Sequence, residues 1–302
     1  MGLTISDLPD VTDAGLDRLV DAVLTWGLPQ LRDLPWRRTR DPWAVLAAEV
    51  MLQQTQVVRV LPKYAAFMAR FPTPAACAEV PLGDVLGLWS GLGYPRRARN
   101  LQLAARMVVD EFHDEFPRTI PDLLRLPGVG SYTARAIMVF AFELPEAVVD
   151  TNIARVLARV SGERLTAKGA QAFADRLVPP EEAWAWNQVL MDLGASTCRP
   201  QPSCRRCPLQ PWCAWSIGGC DAPDPADGSA GVSTPQSRFA GSDRQARGAL
   251  LARLVKGAVG VAEAPVVMGV DAPRAERLVQ SLIRDGLIVS VTSPAGGLLR
   301  LP

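Results

Sequence analysis

A mostly helical protein with a small mixed tail is the fold class this sequence predicts, and three observations carry it. Through the first 215 residues, apolar positions recur at intervals of three and four, and long runs of strict alternation are absent, which is the signature of an all-α region. At 218–237 the composition turns to Gly, Pro, Ala, Ser and Asp, with Asp221, Asp224 and Asp227 adding negative charge, so a flexible linker is expected. Beyond it, two helical segments precede a pair of short strand-like runs.

Taken in order, Leu16, Leu19, Val20, Val23 and Leu24 form a first amphipathic stripe. Asp41-Pro42 reads as a cap followed by proline at the first helical position. Further helices are expected at 56–70, 82–90, 96–112, 121–126, 131–143, 151–160, 168–177 and 183–195. In the tail, 243–255 and 272–285 are helical, and 287–291 and 297–301 are strands around a Pro-Ala-Gly-Gly turn. Two helices and a terminal ribbon in so short a span resemble a winged-helix module. The expected division is therefore 1–217, a linker at 218–237, and a module at 238–302, with no internal repeat.

At 302 residues the chain is long enough for each part to bury its own core. It has no run of eighteen apolar residues, and the N-terminal MGLTISDLPDVTD lacks the basic region and apolar core of a signal peptide. The expectation is a cytoplasmic monomer with no membrane partner. The formal net charge of +1 excludes a uniformly basic coat, so any nucleic-acid contact must come from clusters. Arg37, Arg38 and Arg40 form one, and Arg96, Arg97, Arg99 and Arg106 another, in a stretch (85–109) without acidic residues. A solvated helix face is the alternative for each.

The string Leu126-Pro127-Gly128-Val129-Gly130-Ser131-Tyr132-Thr133-Ala134 joins two helical segments through a turn with two glycines. Gly128 and Gly130 allow backbone amides to approach an anion at the start of the next helix, and a DNA phosphate fits there. A bare Gly-x-Gly is more often a plain helix connection. The whole string, however, matches the helix-hairpin-helix pattern of endonuclease III-like glycosylases, and the sequence resembles that superfamily.

Glu49 is the only charged residue between Trp43 and Val58, and Val45, Leu46 and Leu52 lie three or four positions from it. A glutamate on an apolar helix face is kept protonated by desolvation, as a general acid requires; a buried structural hydrogen bond is the alternative. Asp150 precedes Thr151-Asn152, where a helix begins, and reads as an N-cap whose carboxylate stays ionised. Cleaving an N-glycosidic bond builds positive charge on the sugar, which an ionised aspartate stabilises while a protonated glutamate assists the departing base.

Cys198, Cys204, Cys207 and Cys213 lie within sixteen residues, whereas Cys77 and Cys220 look incidental. Such crowding points to ligation, and the spacing by itself fits a [4Fe-4S] cluster and tetrahedral zinc about equally.

The string Glu49-Val50-Met51-Leu52-Gln53-Gln54-Thr55-Gln56-Val57, with Leu34-Pro35-Trp36-Arg37 before it and Gly91-Leu92-Gly93-Tyr94 and Met191-Asp192-Leu193-Gly194-Ala195 after it, is similar to the MutY adenine DNA glycosylases over about residues 30–215. The resemblance implies a helix-hairpin-helix glycosylase fold closed by an iron-sulfur cluster loop, acting on double-stranded DNA that contains a mismatch or an oxidised guanine. It implies that Glu49 protonates the adenine, Asp150 stabilises the sugar cation and Tyr132 sits beside them. Gln54, Thr55, Leu92 and Tyr94 would enter the helix around the opposite base, and Arg32, Trp36, Arg37, Leu52, Val57 and Gln188 would surround the flipped adenine. For Trp36, Leu52 and Val57 core packing is the alternative. The four cysteines would hold a [4Fe-4S] cluster serving structure and DNA positioning beside Arg205 and Arg206, although the first gap is five residues where the family usually has six.

Bifunctional relatives carry a Schiff-base lysine where this chain has Tyr132, and its lysines are only Lys63, Lys168 and Lys256, so a monofunctional enzyme is expected. The family typically ends in a larger domain that recognises 8-oxoguanine. Here the tail offers nine basic residues against five acidic ones, which implies added affinity, with lesion recognition left to Gln54, Thr55 and Leu92. Two other readings stay open: a thymine glycosylase for G·T mismatches, and a non-enzymatic iron-sulfur DNA-binding regulator.

Overall fold

A computed structural model describes residues 13–221, 223–232, 238–293 and 296–302. The first part of the N-terminal string read above, the end of the linker and the Pro294-Ala295 half of the ribbon turn lie outside these residues. Along the chain run α1 (Asp13–Gly27), α2 (Pro42–Leu52), α3 (Val57–Arg70), α4 (Pro74–Ala78), α5 (Leu82–Trp89), α6 (Arg96–Phe112), α7 (Ile120–Leu123), α8 (Ser131–Phe140), α9 (Thr151–Ser161), α10 (Ala167–Leu177), α11 (Ala183–Ser196), α12 (Ala214–Ile217) and α13 (Asp243–Leu254). Then follow β1 (Val259–Gly260), α14 (Ala264–Met268), α15 (Ala272–Arg284), β2 (Val289–Ser293) and β3 (Gly296–Arg300).

Contacts divide the chain into two compact units. The first combines 1–40 with 131–235, and the second combines 41–130 with 236–302.

In the first unit, α11 is the axis. Gly27, at the end of α1, sits against it so tightly that a Cβ would collide with Val189 Cγ1. On another side Gly194 lies against the first turn of α9, where a Cβ would meet the Asn152 Cβ at 2.7 Å and its carbonyl oxygen at 2.8 Å. Two glycines thus set how closely α1 and α9 approach α11. Ile153, Leu157, Trp186, Val189 and Leu193 fill the core. The stretch expected to be a flexible linker is fastened to this unit in its first part. Asp224 pairs with Arg159, Ala226 is buried, and the Ser229 hydroxyl accepts from Leu165 N at 2.9 Å.

In the second unit, α2 starts as the sequence predicts: the Asp41 side chain accepts from Trp43 N at 3.0 Å, with Pro42 next. Every residue from Trp43 to Met51 is buried, so α2 is wrapped on all sides instead of showing one apolar face. Trp43, Phe67, Phe71 and Trp89 form an aromatic cluster around it, with the Trp43 Nε1–H donating to the Phe71 carbonyl at 2.9 Å.

The tail has the order helix, strand, helix, helix, strand, strand, with antiparallel sheet order β1-β3-β2, which is a winged-helix arrangement. Strand β1, pairing Val259 with Leu299, is two residues long and escapes any periodicity reading. The tail is not a detached module: it belongs to the second unit with α2–α7.

Candidate active site

Glu49 sits in the last turn of α2 and is only 8% exposed. Its backbone carbonyl accepts from Gln53 N, which ends the helix and starts the turn leading to Gln54 and Thr55. Gln54 adopts φ +54, and Tyr94 in the facing loop adopts φ +46; for non-glycine residues both are strained, and such strain clusters where a backbone is shaped for a ligand.

Arg97, at the start of α6, holds these two loops together. Its Nη1 donates to the carbonyls of Val50 (2.6 Å), Met51 (3.1 Å) and Gln53 (2.6 Å), and its Nη2 to Thr55 Oγ1 (3.1 Å), Leu92 O (3.1 Å) and Gly93 O (3.3 Å). The guanidinium therefore caps the C-terminal carbonyls of the helix that carries Glu49 and fixes the Gln54 turn to the Leu92 turn. Burial brings its pKa down to about 10, so it stays a cation at neutral pH. The sequence groups Arg97 with Arg96, Arg99 and Arg106 as a candidate DNA-facing cluster, and the structure corrects this: its hydrogen bonds are internal. Leu92, expected with Gln54, Thr55 and Tyr94 around the opposite base, is enclosed. It is 4% exposed, whereas Gln54 and Tyr94 face solvent. Leu52, Thr55 and Val57 are half-buried.

In the first unit, Asp150 caps α9. One carboxylate oxygen accepts from Asn152 N (3.0 Å) and Ile153 N (2.7 Å), and the other from Asn152 Nδ2 (2.9 Å). Arg155 holds the Asn152 side chain in turn, donating to its Oδ1 at 2.9 Å and to the Gly194 carbonyl at 2.7 Å. Burial pushes the Asp150 carboxyl above its ordinary pKa, opposed by the bonds from Ile153 and Asn152 and by the Arg155 charge. The expectation of a plainly ionised cap is thus corrected in degree: desolvation outweighs the donors.

Arg32 and Arg37, expected at the adenine, converge on Asp192 of α11. Arg37 donates Nη1 and Nη2 to its two oxygens at 2.8 and 2.9 Å, and Arg32 Nε donates at 2.7 Å. Desolvation would raise the Asp192 pKa, but the donors from Arg37 and Arg32 prevail and hold it below the usual range. Gln188, one turn earlier, is buried, as is Trp36. In the hairpin, Gly128 has φ +83 and a Cβ there would meet the Asn100 Cβ at 2.9 Å, so both the conformation and the space demand glycine; Gly130 is open, with nothing within 4 Å. Tyr132, in the first turn of α8, is half-buried.

Cys198, Cys204, Cys207 and Cys213 line one cavity with Arg159, Pro202 and Trp215. Burial pushes the thiols of Cys204 and Cys207 up to about 11 and that of Cys213 up to about 12, which disfavours their thiolates. The Arg159 guanidinium supplies fixed positive charge: it lies 3.5 Å from Cys198 Sγ, pairs with Asp224 at 2.5 Å and stacks on Trp215 at 4.7 Å. Among the described residues, no three His, Cys, Asp or Glu side chains converge on a single-ion position. Cys220 is less incidental than its sequence position implies, with its Sγ 3.7 Å from Cys204 Sγ. Arg205 and Arg206 are exposed.

Residues 47–180 match the family model described as HhH-GPD superfamily base excision DNA repair protein. The adenine DNA glycosylase of Mycobacterium tuberculosis is 39% identical over 98% of this chain and 97% of its own length. The chain belongs to the adenine DNA glycosylase family. The human adenine DNA glycosylase is 43% identical, but over 64% of this chain and 38% of the human protein. The alignment with the mycobacterial family member therefore takes in the tail. Among solved structures, a thermostable thymine-DNA glycosylase superposes with a TM-score of 0.66 at 31% identity, over 69% of this chain and all of its own. A trapped endonuclease III–DNA covalent intermediate superposes with a TM-score of 0.61 at 26% identity, over 70% of this chain and all of its own.

In this member of the adenine DNA glycosylase family, the residues that sequence reasoning missed are supports for the motif residues. Asp192 and Gly194 lie in the quoted Met191-to-Ala195 string without an assigned role. Arg159 and Asn152 carried no signal beyond helical periodicity, because their partners lie far along the chain or depend on a cap that only the fold reveals.

Proposed function

We propose that this chain hydrolyses the N-glycosidic bond of adenine mispaired with 8-oxoguanine or guanine in double-stranded DNA, as a step of base excision repair. Adenine excision follows from the family. The observation that best supports the assigned chemistry is the setting of Glu49, a carboxyl enclosed in a helix buried on every side. Glu49 donates its proton to the departing base, Asp150 faces the positive charge on the sugar, and Tyr132 sits beside them. Arg32, Trp36, Arg37, Leu52, Val57 and Gln188 line the adenine site, with Arg32 and Arg37 oriented by Asp192. Gln54, Thr55, Leu92 and Tyr94 approach the opposite base. The Gly128–Gly130 turn takes a DNA phosphate. The working unit is a cytoplasmic monomer: a catalytic region at 1–217, a connector at 218–237 and a tail at 238–302. No helix among the described residues is long and apolar enough to cross a membrane.

Strand cleavage by alkali after incubation with duplexes carrying A opposite 8-oxoguanine, A opposite G, and T opposite G tests this directly. Cleavage of the first two alone is expected. Preference for T opposite G would identify a thymine glycosylase, and binding without cleavage a regulator.

With Tyr132 in the place of a lysine, the abasic product stays uncut. Borohydride added during turnover should trap less than about 1% of the enzyme on DNA; efficient trapping contradicts the monofunctional assignment.

The four cysteines that line one cavity with Arg159 fit a [4Fe-4S] cluster held by Cys198, Cys204, Cys207 and Cys213. When bound, the cluster cross-links the loop that presents Arg205 and Arg206 to phosphate. Protein purified without oxygen should be brown, with about four irons per chain and broad absorbance near roughly 400 nm. One equivalent of zinc in such protein would exclude the cluster.

A further inference from the structure

The tail packs on the catalytic helices beside the loop that carries Leu92 and Tyr94. Arg244 of α13 donates from Nη1 to the Tyr94 hydroxyl at 2.9 Å. On the same two elements, Leu86, Trp89 and Pro95 of the catalytic region, Leu251 and Ala252 of α13, and Val255 just after it line a cleft of about 60 Å³. Farther out, Asp285 accepts from Arg247 at 2.5 Å and lies 3.8 Å from Arg96, and the Pro302 carbonyl accepts from Gly83 N at 3.1 Å. The loop itself has little packing of its own at its glycines: Gly91 and Gly93 have φ +91 and +76, and a Cβ at either would meet nothing within 4 Å. Tyr94 between them and α6 is held at φ +46. Its ring lies 5.4 Å from the Arg97 guanidinium, the same group that ties this loop to the Gln54 turn. Tyr94 is thus gripped at its ring by the catalytic region and at its hydroxyl by the tail.

We propose that the tail is a positioning element for the lesion-reading loop, acting through Arg244 on Tyr94, and that it sets discrimination between bases opposite adenine as well as affinity. This differs from the sequence-based expectation of a tail that adds affinity alone. A phosphate-binding tail needs its arginines free toward DNA, whereas Arg244, Arg247, Arg274 and Arg277 are each engaged with protein groups. The inference rests on the reading that the 91–94 loop lies near the base opposite adenine.

The test uses the full chain and three variants, Arg244→Ala, Tyr94→Phe and Tyr94→Ala, with the double variant of the first two. Single-turnover rates are measured on A opposite 8-oxoguanine and A opposite G, alongside Tm, and 2-aminopurine fluorescence reports unstacking next to the opposite base. Arg244→Ala and Tyr94→Phe should each lower the ratio of the two rates by about three- to tenfold, the scale of one hydrogen bond. Both should reduce the 2-aminopurine signal while Tm stays unchanged, and the double variant should lose no more than the worse single one, because both remove the same contact. Tyr94→Ala should lose discrimination at least as far. If Tyr94→Ala loses discrimination but Arg244→Ala and Tyr94→Phe keep it, or if Arg244→Ala weakens binding to all duplexes equally, the tail's positioning role is overturned and the loop reading stands. Intact discrimination in Tyr94→Ala overturns the loop reading and the inference with it.

Discussion

Replacing Glu49 by Gln is expected to reduce single-turnover release of adenine by at least about 10³-fold while leaving affinity for mismatched duplex within a few-fold. General acid assistance contributes on the order of 10²–10⁴-fold, and the amide keeps the shape of the side chain while losing the proton that the leaving base needs. Binding is spared because Glu49 lies on the fully buried α2, while the loops proposed to meet DNA, those of Gln54 and Tyr94, are tied to the end of that helix by Arg97 through backbone carbonyls that the substitution leaves alone. The measurement is alkali-developed cleavage under enzyme excess, paired with a gel-shift titration on the same duplex. A variant that kept more than about a tenth of the rate would remove Glu49 from the role of acid.

How far the sequence reaches can be judged at particular residues. Asp41-Pro42 announces α2 because a cap and an N1 proline act within three residues, and the bonded Trp43 amide is where that rule puts it. Helical periodicity likewise places α5, α6, α9 and α11 to within a residue or two at each end. Long-range partnerships are another matter. Nothing in the string around Arg97 says that its guanidinium turns inward to six acceptors on the end of α2 and two loops, so it reads like the arginines beside it. The connector looks flexible by composition, yet Asp224 has a specific cation waiting in Arg159. Gly27 and Gly194 look like ordinary helix positions until the helices they admit are brought against them. Local rules therefore recover the elements and the motif residues, while the supports of the site depend on which surfaces meet.

Asp150, a local cap whose desolvation only the fold reveals, carries the other large effect. Replacing it by Asn is expected to lower the rate by about 10³-fold, because the charge proposed to face the developing sugar cation is removed, an electrostatic loss of the size seen when one preorganised group is deleted. Stability should move the other way. Burial raises the Asp150 pKa above its unfolded value, so the folded chain holds this proton more tightly than the unfolded chain does. Its contribution to stability is therefore present at low pH and is lost as pH rises through the folded pKa. At neutral pH the ionised side chain is a cost, which a neutral isostere relieves while still accepting from Asn152 N and Ile153 N as a cap. A new contact between its amide and Asn152 Nδ2 offsets part of the gain. The net effect is a rise in Tm at pH 7. The same shift makes the wild-type single-turnover rate fall on the acid side at a higher pH than an ordinary aspartate gives. Asn152→Ala, which deletes the 2.9 Å donor to the carboxylate, should move that limb higher still. Calorimetry at pH 7 and rate profiles between pH 4 and 8 separate the outcomes. An Asp150→Asn enzyme that is less stable at pH 7 and keeps its rate would make Asp150 a structural cap and nothing more.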